Sequence, residues 1–305
     1  MTRKNLTVEQ ATKQFLKKTK AKVKESTYAR YSLICERHII PYFGDMEIRQ
    51  LNEKHINSFI QSKLKNGGLN GKPLSPKTIN DIVRLLLQII EKPKQSMKIE
   101  MPSCTEKEVT VFTESEYNRL KSYVSIDTDS KKLGVIVVML TGLRIGELCA
   151  LKWENIDLEN GIIYINKTMQ RIKVTDPKEN RKTKIIIDVP KSSKSIREIP
   201  IHSKLLEKLN EWEFAPTGDT YLLTNTRKYV EPRVYQNNFK SYLKACEIRD
   251  NNFHSLRHTF ATRAISKAMD IKTLSSLLGH SDVSFTMKRY VHPNIEHKRT
   301  QIEKL

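Results

Sequence analysis

Residues 141–148 read Thr141-Gly142-Leu143-Arg144-Ile145-Gly146-Glu147-Leu148. Gly142 permits a tight turn, and Arg144 then opens a helix whose face it shares with Glu147 one turn on. A guanidinium fork matches the paired oxygens of a phosphate, and a neighbouring carboxylate holds the fork in place. The same spacing also describes a surface ion pair of little energetic worth. What decides between these two readings lies elsewhere in the chain.

Two later segments supply it. In His254-Ser255-Leu256-Arg257-His258, His254 and Arg257 fall on one helix face, with Leu256 and Phe260 on the other. Such a pair presents one imidazole and one guanidinium to a single phosphate, or else forms a basic face that touches only backbone. In Leu277-Leu278-Gly279-His280-Ser281, Gly279 reads as a left-handed helix end. Met287-Lys288-Arg289-Tyr290 follows, placing Tyr290 ten residues after His280 in a short helix. Alone, a tyrosine is usually core and a histidine usually structural.

Together these segments resemble the tyrosine recombinase family, also called phage integrases. The resemblance covers Thr113 to Pro293, and TGLRIGEL, HSLRHTFAT, LLGHS and the tyrosine stand in the family's order and spacing. The helices before it resemble the family's core-binding domain. The resemblance implies a mainly α fold with a small antiparallel β-sheet. It would consist of a helical DNA-binding domain over 1–100 and a mixed α/β catalytic domain over 108–305. The chain is most similar to integrases of phages and mobile elements of low-GC bacteria. It departs from the larger ones in starting at the core-binding domain, and from the usual pattern in a shorter stretch after Ile90.

Carried over motif by motif, the resemblance implies that Arg144 and Arg257 clamp the scissile phosphate. His254 and His280 flank it, Tyr290 is the nucleophile and Glu147 a supporting acid. The family's lysine sits in a turn between two strands, here Pro190-Lys191-Ser192-Ser193-Lys194-Ser195. Lys191 and Lys194 compete for that role. Lys191 is favoured because it ends the incoming strand after Val189-Pro190. The implied activity is site-specific recombination of double-stranded DNA through a 3′-phosphotyrosyl intermediate, for integration or excision of a mobile element. A homotetramer on two DNA sites is implied, with an accessory DNA-bending or excision factor as a further partner. Two alternatives share the motifs: a type IB topoisomerase-like enzyme that nicks and reseals, and a catalytically silent sequence-specific DNA-binding protein.

The chemistry is coherent with these residue types. Phosphodiester transfer builds negative charge on phosphate oxygens, which fixed cationic donors stabilise. A phenol with pKa ~10 needs positioning and proton removal before it attacks, and the leaving 5′-oxygen needs a proton that lysine can give. The set holds no carboxylate pair of the two-metal type, and no P-loop motif occurs. No cofactor and no metal are therefore expected.

Composition agrees. The 305 residues carry 54 Lys plus Arg against 34 Asp plus Glu, a formal charge of +20. Such a surplus repels itself unless an acidic partner offsets it, and nucleic acid is the commonest one. Cys35, Cys104, Cys149 and Cys246 lack metal-ligand spacing and read as small buried hydrophobes of a reducing compartment. The N-terminus has no apolar signal core, and Leu133–Leu140, the longest strongly apolar run, is too short to span a bilayer. A bacterial cytoplasmic, DNA-associated protein is expected.

Helix signals punctuate the first hundred residues: a capping box at Thr7 and Gln10, Ser26 as a cap, a stop at Pro41, apolar positions over 52–65, and Ser75-Pro76 opening another helix. The stretch from Lys92 to Val111 shows no periodicity and reads as a linker. Thr113 and Glu116 open the second domain. Helices are expected at 114–124, 130–141, 144–150, 203–212, 233–246, 254–268, 271–278 and 284–291, with strands at 161–165, 184–189 and 196–201.

Overall fold

The computed structural model describes residues 6–68, 71–92, 97–105, 109–126, 129–176, 178–190, 192–210, 218–290, 299, 302 and 303. The chain divides into two compact units, 1–107 with 172–184, and 108–171 with 185–305.

The first unit is helical: α1 (Val8–Lys20), α2 (Glu25–Ile34), α3 (Ile40–Phe43), α4 (Glu53–Asn66) and α5 (Pro76–Ile89). The Thr7–Gln10 capping box forms as the sequence predicts, each side chain satisfying the other residue's backbone N–H. Ser75 caps α5, with Pro76 in its first turn. Val8, Ile39, Phe43, Ile56, Phe59, Ile60, Ile79, Ile82 and Leu86 fill the core. Phe43 and Phe59 meet with ring centroids 5.0 Å apart.

Two expectations fail here. Ser26 is no cap: α2 starts two residues earlier than that cap would place it, after Lys24, and Ser26 is buried within its first turn. Pro41 does not stop the helix either. Cys35–Ile39 form a π-helical turn that runs straight into α3, where Pro41 occupies the first turn. Pro41 thus sits inside a continuous helix, directly after the π turn that interrupts the regular hydrogen-bond ladder.

The expected linker also holds more structure than its sequence reading allows. Met97, Ile99 and Met101 pack against the helical core. The backbone between them bonds to polar side chains: Lys98 N donates to Glu53 Oε2 at 3.1 Å and Glu100 N to Asn57 Oδ1 at 3.0 Å. The alternation of apolar and charged residues over 97–101 is a period of two, the mark of an extended segment with one face covered. Cys104 is exposed, unlike the other three cysteines; the free surface of this segment leaves it no core to enter.

The second unit holds α6 (Glu114–Ser125), α7 (Ser130–Thr141), α8 (Ile145–Ala150), α9 (Ser203–Asn210), α10 (Pro232–Ala245), α11 (His254–Ser266), α12 (Ile271–Leu278) and α13 (Val283–Tyr290). Its strands are β1 (Ile156–Asp157), β2 (Ile162–Ile165) and β5 (Arg197–Pro200), which form one antiparallel sheet in the order β1-β2-β5. Strands β3 (Thr168–Lys173) and β4 (Thr183–Asp188) form a separate two-stranded sheet whose far end, 172–184, belongs to the first unit. There Lys184 pairs with Glu25 at 2.7 Å and Lys173 with Glu36.

Strand β3 was not expected. Among the described residues β4 and β5, which flank the Ser- and Lys-rich turn, pair with different partners and not with each other. Leu120, Val137, Leu148, Ile163, Leu205, Phe239 and Leu256 anchor the core of this unit. No described helix is long and apolar enough to cross a membrane.

Candidate active site

Two glycines shape the site. α7 ends at Gly142 with φ +67° and α12 at Gly279 with φ +62°, left-handed conformations that glycine adopts at least cost. Space enforces the choice too. A Cβ on Gly142 would stand 2.5 Å from the Phe260 ring, and one on Gly279 would stand 3.0 Å from Nη1 of Arg197. The carbonyls at these two helix ends turn inward and carry three arginines.

Arg257, on α11, is 2% exposed. Its Nη1 donates to the Gly142 carbonyl at 2.8 Å, and its Nη2 to the Leu278 carbonyl at 2.6 Å and to His280 Nε2 at 2.9 Å. Burial first, then repulsion from Arg144, lowers its pKa to about 9, which leaves it charged at neutral pH.

Arg144 is the accessible one, with its side chain 35% exposed. It stands at the N-cap position of α8, where its backbone N–H donates to Glu147 Oε2 at 3.0 Å, and its side chain donates to Glu147 Oε1 at 2.7 Å and to the Gly279 carbonyl at 3.2 Å. Glu147 is almost wholly buried, and burial alone would raise its pKa. Hydrogen bonds and charge from Arg197, with charge from Arg144, outweigh that and hold the carboxyl at about 2.

Arg197 is the residue that the sequence reading missed. It grips Glu147 with both ends of its fork, at 3.1 and 2.9 Å, while Nε donates to the Leu277 carbonyl at 2.6 Å. A signal was present: on β5 the burial alternates so that Arg197 shares the inner face with Ile199. A charged residue on the apolar phase of a strand implies a buried partner.

His280 follows Gly279, and its tautomer is fixed by its neighbours. Arginine only donates, so Nε2 accepts, and Nδ1–H is left to donate to Thr286 Oγ1 at 2.7 Å. The ring is neutral, its pKa lowered to about 3 by burial first and by Arg257 next. His254 opens α11 with its ring reachable by solvent; the surrounding protein first, then Arg257 and Arg144, still lowers it to about 4.

Tyr290 ends α13 and is 7% exposed, and its hydroxyl meets His258 Nδ1 at 2.7 Å. Burial raises the phenol's pKa, against the pull of Arg257, Arg289 and Arg144. The motif His254-Ser255-Leu256-Arg257-His258 contains His258, but sequence alone gives it no role. Nothing in the spacing shows that a residue one turn past His254 would meet a helix two elements later.

The structure thus brings Arg144, Arg257, His280 and Tyr290 together, with His254 at the rim. Lys191 lies outside the described residues. Lys194 is exposed, and its Nζ donates to the Ser281 carbonyl at 2.9 Å, which ties it to the corner beside His280. Three guanidinium charges, those of Arg144, Arg197 and Arg257, face one carboxylate in this cluster; the surplus is two positive charges, and Arg289 adds its own beside the tyrosine hydroxyl.

Residues 110–297 match the model of the phage integrase family, and residues 7–64 match that of the phage integrase N-terminal SAM-like domain. The chain belongs to the phage integrase family. This integrase is a tyrosine-type site-specific recombinase, and neither the topoisomerase nor the silent-binder alternative is favoured. It is 28% identical over 312 aligned residues to a XerC-like tyrosine recombinase of Caldanaerobacter subterraneus subsp. tengcongensis, covering 92% of this chain and 78% of that protein. It is 24% identical to the ICEBs1 integrase of Bacillus subtilis, with the same coverage. The integrase also shares its fold with the Tn1549 transposon integrase solved with transposon right-end DNA. The TM-score is 0.77 at 21% identity, over 98% of this chain and 99% of that one. Lambda integrase bound as a dimer to a core site aligns with TM-score 0.67 at 18% identity, over 94% and 96% of the two chains.

Proposed function

We propose that Tyr290 attacks the scissile phosphate to form a 3′-phosphotyrosyl bond, with Arg144 and Arg257 stabilising the charge on the non-bridging oxygens. The observation that carries this is the surplus of two positive charges held by main-chain carbonyls beside the Tyr290 hydroxyl. Fixed cations of this kind stabilise the charge that develops in the transition state. Glu147 and Arg197 set the position of Arg144. His254 and His280 flank the phosphate, and Lys191, favoured over Lys194, protonates the leaving 5′-oxygen.

Residues 1–100 are assigned to DNA binding and 108–305 to catalysis. The substrate is double-stranded DNA of a mobile element, cut and rejoined for integration or excision in the bacterial cytoplasm. A homotetramer on two sites fits this reading, and lambda integrase has been solved as a tetramer on a Holliday junction. An accessory DNA-bending or excision factor completes the set of partners.

The test is Tyr290→Phe on a nicked suicide substrate, read on denaturing gels. DNA binding should persist and the covalent band should vanish. A band that survives would assign the nucleophile elsewhere. Tyr235, the obvious substitute, is fully buried with its hydroxyl donated to the Lys131 carbonyl at 2.7 Å, so it offers no rescue.

A further inference from the structure

We propose that His258 is the general base that takes the phenolic proton of Tyr290 as its oxygen attacks phosphorus. This rests on the recombinase reading above and assigns a step that reading leaves without a residue.

A phenol is a weak nucleophile until a base within about 2.6–3.2 Å removes its proton. Among the described residues His258 is the one side chain hydrogen-bonded to the Tyr290 hydroxyl, at 2.7 Å through Nδ1. The other imidazoles are placed for other work. His280 has Nε2 occupied by Arg257 and Nδ1 by Thr286. His254 reaches His258 edge to face, with ring centroids 4.5 Å apart, so it adjoins the base and not the nucleophile.

The geometry follows from the helices. His258 lies one turn beyond His254 on α11, and Tyr290 in the last turn of α13, which packs against α11. The groups that act on His258 are His254 and Arg257 from its own helix, and Arg289 and Tyr290 from α13. Burial first, then His254, Arg289 and Arg257, lower its pKa to about 4. The ring is therefore neutral at pH 7, and with its proton on Nε2 it offers Nδ1 as an acceptor. An arriving phosphodiester brings a negative charge that offsets the two arginines and raises the basicity of His258 when it is needed.

The step balances. The Tyr290 O–P bond forms as the P–O5′ bond breaks. The phenolic proton moves to Nδ1, and the electron pair leaves on O5′, which takes a proton from the hairpin lysine. On rejoining, the 5′-hydroxyl gives its proton back to the neutral lysine as its oxygen attacks phosphorus, the Tyr290 O–P bond breaks, and the imidazolium returns its proton to the departing phenolate.

Single-turnover cleavage of the nicked suicide substrate by the full chain, between about pH 5 and pH 9, tests this. His258→Asn keeps a hydrogen-bonding group near the Nδ1 position but no basicity. It should bind DNA like wild type, cleave at least about 10²-fold more slowly, and lose the acid limb of the pH–rate profile. Putting 2,3-difluorotyrosine, a more acidic phenol, at position 290 should restore much of that loss. His254→Asn should keep the acid limb.

A His258→Asn rate within a few-fold of wild type with an unchanged profile would overturn the proposal. So would loss of the limb only in His254→Asn, or faster cleavage by His258→Asn, which would make His258 a restraint on the tyrosine. If His258→Asn does not fold, difluorotyrosine at position 290 of the otherwise intact chain decides. A base-assisted limb stays where His258 titrates, whereas an unassisted one moves down with the phenol and sinks the idea. Absence of any Tyr290-linked complex in the wild type would refute the recombinase reading itself, separately from the role of His258.

Discussion

In the helical unit, Phe43, Phe59 and their aliphatic neighbours meet across helices, and no charged side chain is buried among the described residues. In the second unit, Glu147, Arg197 and Arg257 are buried, and carbonyls and one carboxylate satisfy them. The first arrangement is non-directional and tolerates repacking. The second depends on each donor finding its acceptor, and removing one partner leaves the others charged and dry. Stability in one unit is therefore a matter of volume, and in the other of complete pairing.

The sharpest break in that comparison is Glu147→Ala. It strands Arg197 in the interior and frees Arg144, and should cost about 3–5 kcal/mol in the second unit. Cleavage should fall with it. Hydrogen exchange resolved by unit should show the loss confined to 108–171 and 185–305. An equal loss in the helical unit would mean that the two do not unfold separately. Next comes Leu86→Ala, which opens a cavity in the helical core and should cost about 2–5 kcal/mol. Its cost should hardly change with salt, because no charge is involved, and a salt-dependent value would contradict the contrast.

Acid should separate the units further. The folded pKa values of His254, His258 and His280 lie at about 4, 4 and 3, below the usual 6.5, so the fold favours their neutral forms. Their contribution is complete above pH 6.5 and is lost as pH falls through 4 to 3. Glu147 has the same sign, complete above 4.5 and lost as pH falls through about 2. Among the described residues of the helical unit, His38 is the histidine whose pKa burial also lowers. Denaturant melts from pH 7 to pH 4 should therefore weaken the second unit more; a parallel decline in both would reject the assignment of the histidines as neutral.

Gly279→Ala forces a left-handed alanine, which costs about 1–2 kcal/mol, and pushes against Arg197. It should impair cleavage more than melting temperature. The smallest effect is Thr7→Ala, which removes one helix cap and should cost about 1 kcal/mol in the helical unit alone, read as a shift in denaturation midpoint.

The two regions also differ in how far their sequences reveal them. Capping boxes at Thr7 and Thr113, the Ser75-Pro76 start and the apolar spacing over α5 are local signals, and the helices they mark are present. Local reading went wrong where a rarer geometry intervened, at the π turn before Pro41 and the extended strip at 97–101. In the candidate site, Arg144, His254, Arg257, His280 and Tyr290 are named through the motifs that carry the family resemblance. Arg197 and His258 act through partners 50 and 32 residues away. Such pairings are products of the fold, and sequence shows at most a charge on the wrong face of a strand.

The carbonyls that hold the three arginines share one origin. Those of Gly142, Leu277, Leu278 and Gly279 all lie at the C-termini of α7 and α12. A helix C-terminus carries about half a negative charge from its aligned peptide dipoles. Two such ends aimed at one point act as a built-in counter-ion of roughly one elementary charge. Unlike a carboxylate, this counter-ion cannot be protonated or swung away, and it does not compete for the anion. An arriving phosphate adds its charge to cations that the main chain already holds in place.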